Sequence, residues 1–213
     1  MTKTILTIDF DIIMYPCLQI YNDLVGGDVN PTANWEFLKR ERGLEPFIKY
    51  DANVLKMIGT IIKHHRNKGS KFIVCEEHQQ VVDYLKLSGT YDEDNFNIIN
   101  IDFHHDIWYR PEDKNVLINF DDYNCSNWLG YLLLKDKIET MSWYAAYNST
   151  NFFDNSYQQE MPLSKFRLDE LSDIYNQDCI DEIYFVLSPQ WVPYEFHHLF
   201  DLIIDLTAPG EEV

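Results

Sequence analysis

The sequence predicts a single-domain, three-layer α/β/α fold on a mostly parallel sheet, with residues 1–213 forming one unit. Three observations carry this. Short apolar, β-branched runs recur along the chain, and stretches with helical apolar spacing separate them. Strands that alternate with helices pair in parallel and are covered on both faces. The 213 residues, 46% apolar and 15% aromatic, are enough for one full core.

The elements follow in chain order. "KTILTID" (3–9) reads as a buried strand ending in acid. Residues 14–50 read as irregular, with Pro16, Gly26, Gly27, Pro31, Gly43 and Pro46 as breakers. Residues 53–67 carry Val54, Leu55, Ile58, Ile61 and Ile62 at helical spacing. "SKFIVCEEH" (70–78) is a strand, "QQVVDYLKL" (79–87) a short helix and "NFNIINID" (95–102) a strand. "SNWLGYLLLKD" (126–136) is a helix with Ser126 as its expected N-cap. "IETMSWYAA" (138–146) is a strand, 146–163 is polar and irregular, and Leu168 to Tyr175 suggest a short helix. "DEIYFVLS" (181–188) is the last strand, and "PYEFHHLFDLIIDL" (193–206) is a helix opened by Pro193.

Composition narrows the function classes. The net charge of −18 is the wrong sign for a nucleic-acid binder, which needs Lys and Arg against phosphate. It favours cationic small molecules or basic peptides, or it serves solubility alone. No apolar run reaches the roughly 18 residues of a membrane span, and the N-terminal residues lack a signal-peptide pattern, so a cytoplasmic protein is expected. Cys17, Cys75, Cys125 and Cys179 are far apart and expected to be free, buried or half-buried thiols.

In open parallel sheets, ligands bind at the carboxyl ends of strands. Three of the five expected strand ends carry metal-ligand chemistry: Asp9 and Asp11; Glu76, Glu77 and His78; Asp102, His104 and Asp106. On an extended chain, period two puts Asp102, His104 and Asp106 on one face and Phe103 and His105 on the other. Asp9 and Asp11 share that spacing. Converging carboxylates and imidazoles call for a divalent cation such as Mn, Fe or Zn, and two such strand ends with two histidines form a ligand set for a two-ion centre. A first strand ending in D-x-D also opens haloacid-dehalogenase-type phosphotransferases. That motif wants Thr or Val where Ile13 stands.

The D-x-H-x-D of Asp102, His104 and Asp106 resembles the central metal motif of the arginase (ureohydrolase) superfamily. "VCEEH", "NCSNWL" and "ILTIDFDIIM" resemble segments of an arginase-related family that includes peptide arginases, enzymes acting on arginine residues within peptides. In that family D-x-D follows D-x-H-x-D. Here it comes first, as in a circular permutation, which a parallel sheet cut at an exposed connection permits.

The resemblance implies an arginase-like, permuted fold with two Mn(2+). His78 would ligate one ion and His104 the other. Asp9 and Asp102 would bridge, Asp106 would complete the first shell and Asp11 the second. Hydroxide made between the ions would attack the guanidinium carbon of a peptide arginine, giving ornithine and urea. Asp106 would carry the proton to the leaving amine, and Glu76 would orient ligands or substrate. Asn127 and Trp128 are substrate-binding candidates from the matching segment. The family's free-arginine enzymes carry a His after D-x-H-x-D, but here none occurs between His105 and His197. Their guanidinium-gripping Glu follows the last strand, where this chain reads "VLSPQWVPYE", leaving Ser188 or Glu195 for that role. Aromatics in "NWEFL", "SWYAAY" and "NFF" would line a peptide groove or pack the loops on the core. Two other readings are an agmatinase-like or other amidohydrolase with the same ions, and a non-enzymatic acidic decoy with dispersed acids.

Overall fold

The computed structural model describes residues 2–14, 31–43, 48–93, 95–107, 123–145, 163–167, 170–177 and 179–208. Among these, six strands form one parallel sheet: β1 (Lys3–Asp9), β2 (Lys71–Cys75), β3 (Phe96–Ile101), β4 (Ile138–Ala145), β5 (Leu163–Arg167) and β6 (Glu182–Val186). Their order is β2-β6-β1-β3-β4-β5, and every pairing is parallel. β1 is therefore central although it comes first in the chain. The helices are α1 (Pro31–Arg42), α2 (Ala52–Asn67), α3 (Gln80–Leu87), α4 (Thr90–Glu93), α5 (Trp128–Leu134), α6 (Ser172–Tyr175) and α7 (His197–Leu206).

Helices cover both sheet faces, so the α/β class and layering agree with expectation. One core packs Leu6, Ile8, Ile99 and Phe185 against Val54, Ile58 and Ile62 of α2 and Leu199, Phe200 and Ile203 of α7. The other packs Ile5, Ile98 and Tyr184 against Val81, Val82 and Leu85 of α3 and Trp128, Leu129 and Leu132 of α5. Alternation along β1 sends Ile5 to one core and Leu6 to the other.

Several elements differ from the sequence reading. Part of the stretch read as irregular, 14–50, is helix α1. Its residues are mostly polar, but Trp35 and Leu38, three apart, are buried in the α2 core, Pro31 suits a first helical position, and Gly43 follows at φ 62. β5 is a sixth strand where no strand was expected; among the described residues it pairs on one side only, and its "LSKFR" is too short and polar to signal a strand. Ser126 is not the N-cap of α5. Asn127 is, while the Ser126 hydroxyl and N–H both donate to Asn124. α7 begins at His197 after a short 3₁₀ turn over Tyr194–Phe196, with Pro193 capping the turn rather than the helix. Asp51 caps α2 by accepting from Asn53 and Val54.

Cys75 is buried and Cys125 half-buried, as expected, but Cys179 is exposed; all three are free, and Cys17 lies outside the described residues. Trp35, Trp143 and Tyr144 are buried in the cores, so these aromatics pack rather than line a groove. The aromatics of 151–153 lie outside the described residues. No helix among the described residues is long and apolar enough to cross a membrane.

Candidate metal centre

The centre lies at the carboxyl ends of β1, β2 and β3. β1 stops at Asp9, whose Oδ1 accepts the Asp11 N–H at 3.0 Å and turns the chain into a 3₁₀ turn over Phe10–Ile13. β3 stops at Ile101, and Oδ1 of Asp102 accepts the His104 N–H at 2.8 Å. Both are side-chain turns in which an aspartate replaces a backbone acceptor. The sequence expectation assumed that strand alternation continues through residue 106, but it ends at 101. Asp102 and His104 still meet in one ligand group through the turn, while a left-handed Asp106 (φ 50) brings its carboxylate to His78, outside both groups.

Two buried groups result, each able to hold a metal ion: Asp9, His78 and Asp102; and Asp11, Asp102 and His104. Within each, the ligand atoms lie within 4.8 Å of one another. Opposite ligands of one ion, each about 2.1 Å from it, would span about 4.2 Å. Asp102 belongs to both groups. Nδ1 of His78 lies 3.2 Å from Oδ2 of Asp9, 3.5 Å from Oδ2 of Asp102 and 3.0 Å from Oδ2 of Asp106. Nδ1 of His104 lies 3.1 Å from Oδ2 of Asp11. Both Asp11 oxygens are buried, and apart from this approach no donor reaches them among the described residues. Buried polar atoms left this way are costly unless something else binds them.

The centre's charge is frustrated. Burial and the neighbouring charge of Asp9 push the Asp11 carboxyl up to about 6. Burial, then Asp106, Asp9 and Asp11, push Asp102 well above the ordinary carboxylate range. Burial alone would lower His78, but the charge of Asp9 and hydrogen bonds to Asp106 and Asp9 outweigh it and raise the imidazole to about 10. Burial likewise opposes the charged form of Asp106, yet His78, His104 and the Trp128 N–H hold its carboxyl below the ordinary value. Protons thus balance the acids, and a divalent cation would displace them. Carboxylate with imidazole is a donor set that suits Mn, Fe or Zn, so the residues fit such an ion.

Other candidate residues are placed as follows. Ser188, at φ 48, donates from Oγ to Oδ2 of Asp9 at 2.6 Å, so it supports a candidate ligand rather than facing a substrate. Glu195 pairs with Lys39 at 2.8 Å. Glu76 is exposed, and its N–H donates to Oε1 of Gln80. Asn127 is buried and accepts the Asn124 N–H at 2.7 Å. Trp128 donates to Oδ2 of Asp106 at 2.8 Å and stacks on His78.

Three residues of the site were missed in the sequence. Asn100 links Thr7, with which it hydrogen-bonds, to Oδ2 of Asp102 at 3.3 Å. Trp143 donates its indole N–H to the Asp102 carbonyl at 2.9 Å. Trp191, half-buried, sets its ring 4.7 Å from that of His104. The signals were weak, since Asn100 and Trp143 sit inside strands. Glu77, named with Glu76 at the strand end, is held differently from it: its carboxylate accepts from the Gln190 amide at 2.7 Å and from the Gln79 amide, with no cation paired to it among the described residues. Comparison with protein-family models, with curated proteins and with solved structures finds no match.

Proposed function

We propose that this chain is a two-metal hydrolase of the arginase type, carrying two Mn(2+) and cleaving the guanidinium of arginine side chains in a peptide to ornithine and urea. The observation that carries the reading is Asp102, one carboxylate common to two buried, histidine-containing ligand groups. A shared carboxylate is what holds two ions at the roughly 3.5–4 Å of two-metal sites. Such ions, when bound, supply the Lewis acidity that makes hydroxide from water at neutral pH.

The chain's own residues do the rest. His78, Asp9 and Asp102, with Asp106 beside His78, would hold the first ion, and His104, Asp11 and Asp102 the second; Asp102 alone belongs to both groups, so Asp9 would serve one ion rather than bridge. Asp106, fixed by His78 and Trp128, suits a permanent carboxylate better than a proton carrier. Glu77, held by two neutral amides and unpaired with any cation among the described residues, supports a cationic substrate. The central place of β1 supports permutation, because pairing sets where Asp9 and Asp11 lie, whatever their order in the chain. An acidic decoy expects dispersed acids and leaves the buried Asp–His centre without a purpose.

The test is metal analysis after manganese-supplemented growth, followed by urea release from arginine peptides, free arginine and agmatine side by side. The proposal expects metal uptake, urea from the peptides, and loss of that activity in His104→Ala. Less than one ion per chain, or full activity in His104→Ala, would sink it.

A further inference from the structure

Trp128 is fully buried at the start of α5 and meets the centre twice. Its indole N–H donates to Oδ2 of Asp106 at 2.8 Å. Its ring stacks on the His78 imidazole, with centroids 5.2 Å apart and planes 23° from parallel. Since Oδ2 of Asp106 is itself 3.0 Å from Nδ1 of His78, the three side chains close a triangle. The backbone ties the same corner together: the Asp106 carbonyl accepts the N–H groups of Leu129 and Gly130 at 3.1 and 3.3 Å.

A histidine that ligates a metal is usually oriented through its second nitrogen, which donates to a carboxylate or carbonyl. That device is missing here, because Nε2 of His78 is buried with no hydrogen-bond partner among the described residues. Instead the indole lies stacked on the ring face. We propose that Trp128 is a positioning residue of the metal centre: its ring holds His78 with Nδ1 toward the carboxylates, and its N–H fixes the Asp106 carboxylate beside it. The inference rests on the metal reading above. An indole N–H only donates, so Trp128 orients a carboxylate without competing as a ligand. Orienting both groups in advance removes an ordering cost from ion binding.

The experiment titrates the purified full-length chain with manganese by calorimetry and with cobalt(II) by its visible absorption. Trp128→Phe keeps a ring over His78 and removes the donor. Benzothienylalanine at position 128 matches the indole in size, lacks the N–H, and serves where the phenylalanine variant does not fold. Both are expected to weaken ion affinity by about 10–100-fold, as loss of such supporting contacts does, and to shift the cobalt band. A purely structural role would lower the melting temperature of the metal-free protein and leave affinity and band as in the wild type. That result in either substituted protein overturns the proposal. A wild-type chain that takes up neither ion overturns the metal reading, and the positioning role with it.

Discussion

Asp9 and Asp102 stand side by side at the ends of neighbouring strands, one position beyond the paired Ile8 and Ile101, and each folds its carboxylate back onto the N–H two residues on. The same turn is thus made twice, in register. It throws Asp11 and His104 together, with 3.1 Å between Oδ2 and Nδ1. His78, from the end of β2, closes the other side against both turn-forming aspartates.

Asp102 and Asp11 therefore differ in what their loss removes. Asp102 serves both ligand groups and Asp11 only one. After growth in manganese, Asp102→Ala is expected to retain almost no metal. Asp11→Asn is expected to retain about half of the wild-type content, the share of one ion in a two-ion centre. Elemental analysis per chain checks both, and equal losses in the two variants would refute the shared role of Asp102.

The same Asp11→Asn change should stabilise the metal-free protein. Asp11 keeps both oxygens buried, beside Asp9. Even with His104 3.1 Å away the Asp11 carboxyl stays raised to about 6, so neutralising it is expected to gain about 1–3 kcal/mol. For a chain of this size that raises the melting temperature by roughly 2–4 °C per kcal/mol. Thermal unfolding in chelator, wild type against variant, gives the sign. A residue whose role is purely structural would give the opposite one.

Glu77 should govern substrate charge and leave the ions alone. Its carboxylate is oriented by Gln190 and Gln79 and faces no cation among the described residues. Glu77→Gln keeps the shape and removes the charge. Loss of a charge-assisted contact of about 1.5–3 kcal/mol is expected to raise KM for an arginine peptide by about 10–100-fold. Metal content should be unchanged. An unaltered KM in this variant would exclude Glu77 from substrate binding.

The sequence made five strands and the six converging residues legible for one reason: apolar runs ending in Asp and His are rare and local. Period two proved the wrong cause, since the strand stops at Ile101 and the turn at Asp102 does the gathering. α1 and β5 were hidden because polar residues outnumber the few apolar ones that anchor them. The partners of the ligands were hidden for another reason. Ser188 and Asp9 are 179 residues apart, and Trp143 and Asp102 are 41 apart, so only the strand order brings them together.

Gly130 is a contact that only a glycine allows. A Cβ built there would lie 2.1 Å from the carbonyl oxygen of Ile107, and that obstacle is backbone. Gly130→Ala must push α5 away from the segment carrying Asp106. The expected cost is about 3 kcal/mol, at the upper end for overpacking, and ion affinity should fall with it as the Trp128 contacts open. Chemical denaturation and manganese titration of the folded variant check the two effects separately.

His65 sets a pH dependence outside the candidate metal centre. It is buried on α2, and its Nε2–H donates to the Ile174 carbonyl at 3.0 Å. Burial, with the charges of His64 and Lys68 behind it, holds its pKa below the ordinary 6.5 despite that hydrogen bond. Below pH 6.5 the unfolded chain therefore takes up a proton that the folded chain refuses. The stabilisation is complete above 6.5 and is lost as the pH falls from there toward the lowered folded value. The slope is at most about 1.4 kcal/mol per pH unit, the limit for one proton. His65→Gln keeps an N–H for Ile174 and has nothing to titrate. The stability difference between wild type and variant, measured by denaturation from pH 7.5 to 5 in about half-unit steps, should move against the wild type as the pH drops. A difference independent of pH would show that His65 titrates alike in both states.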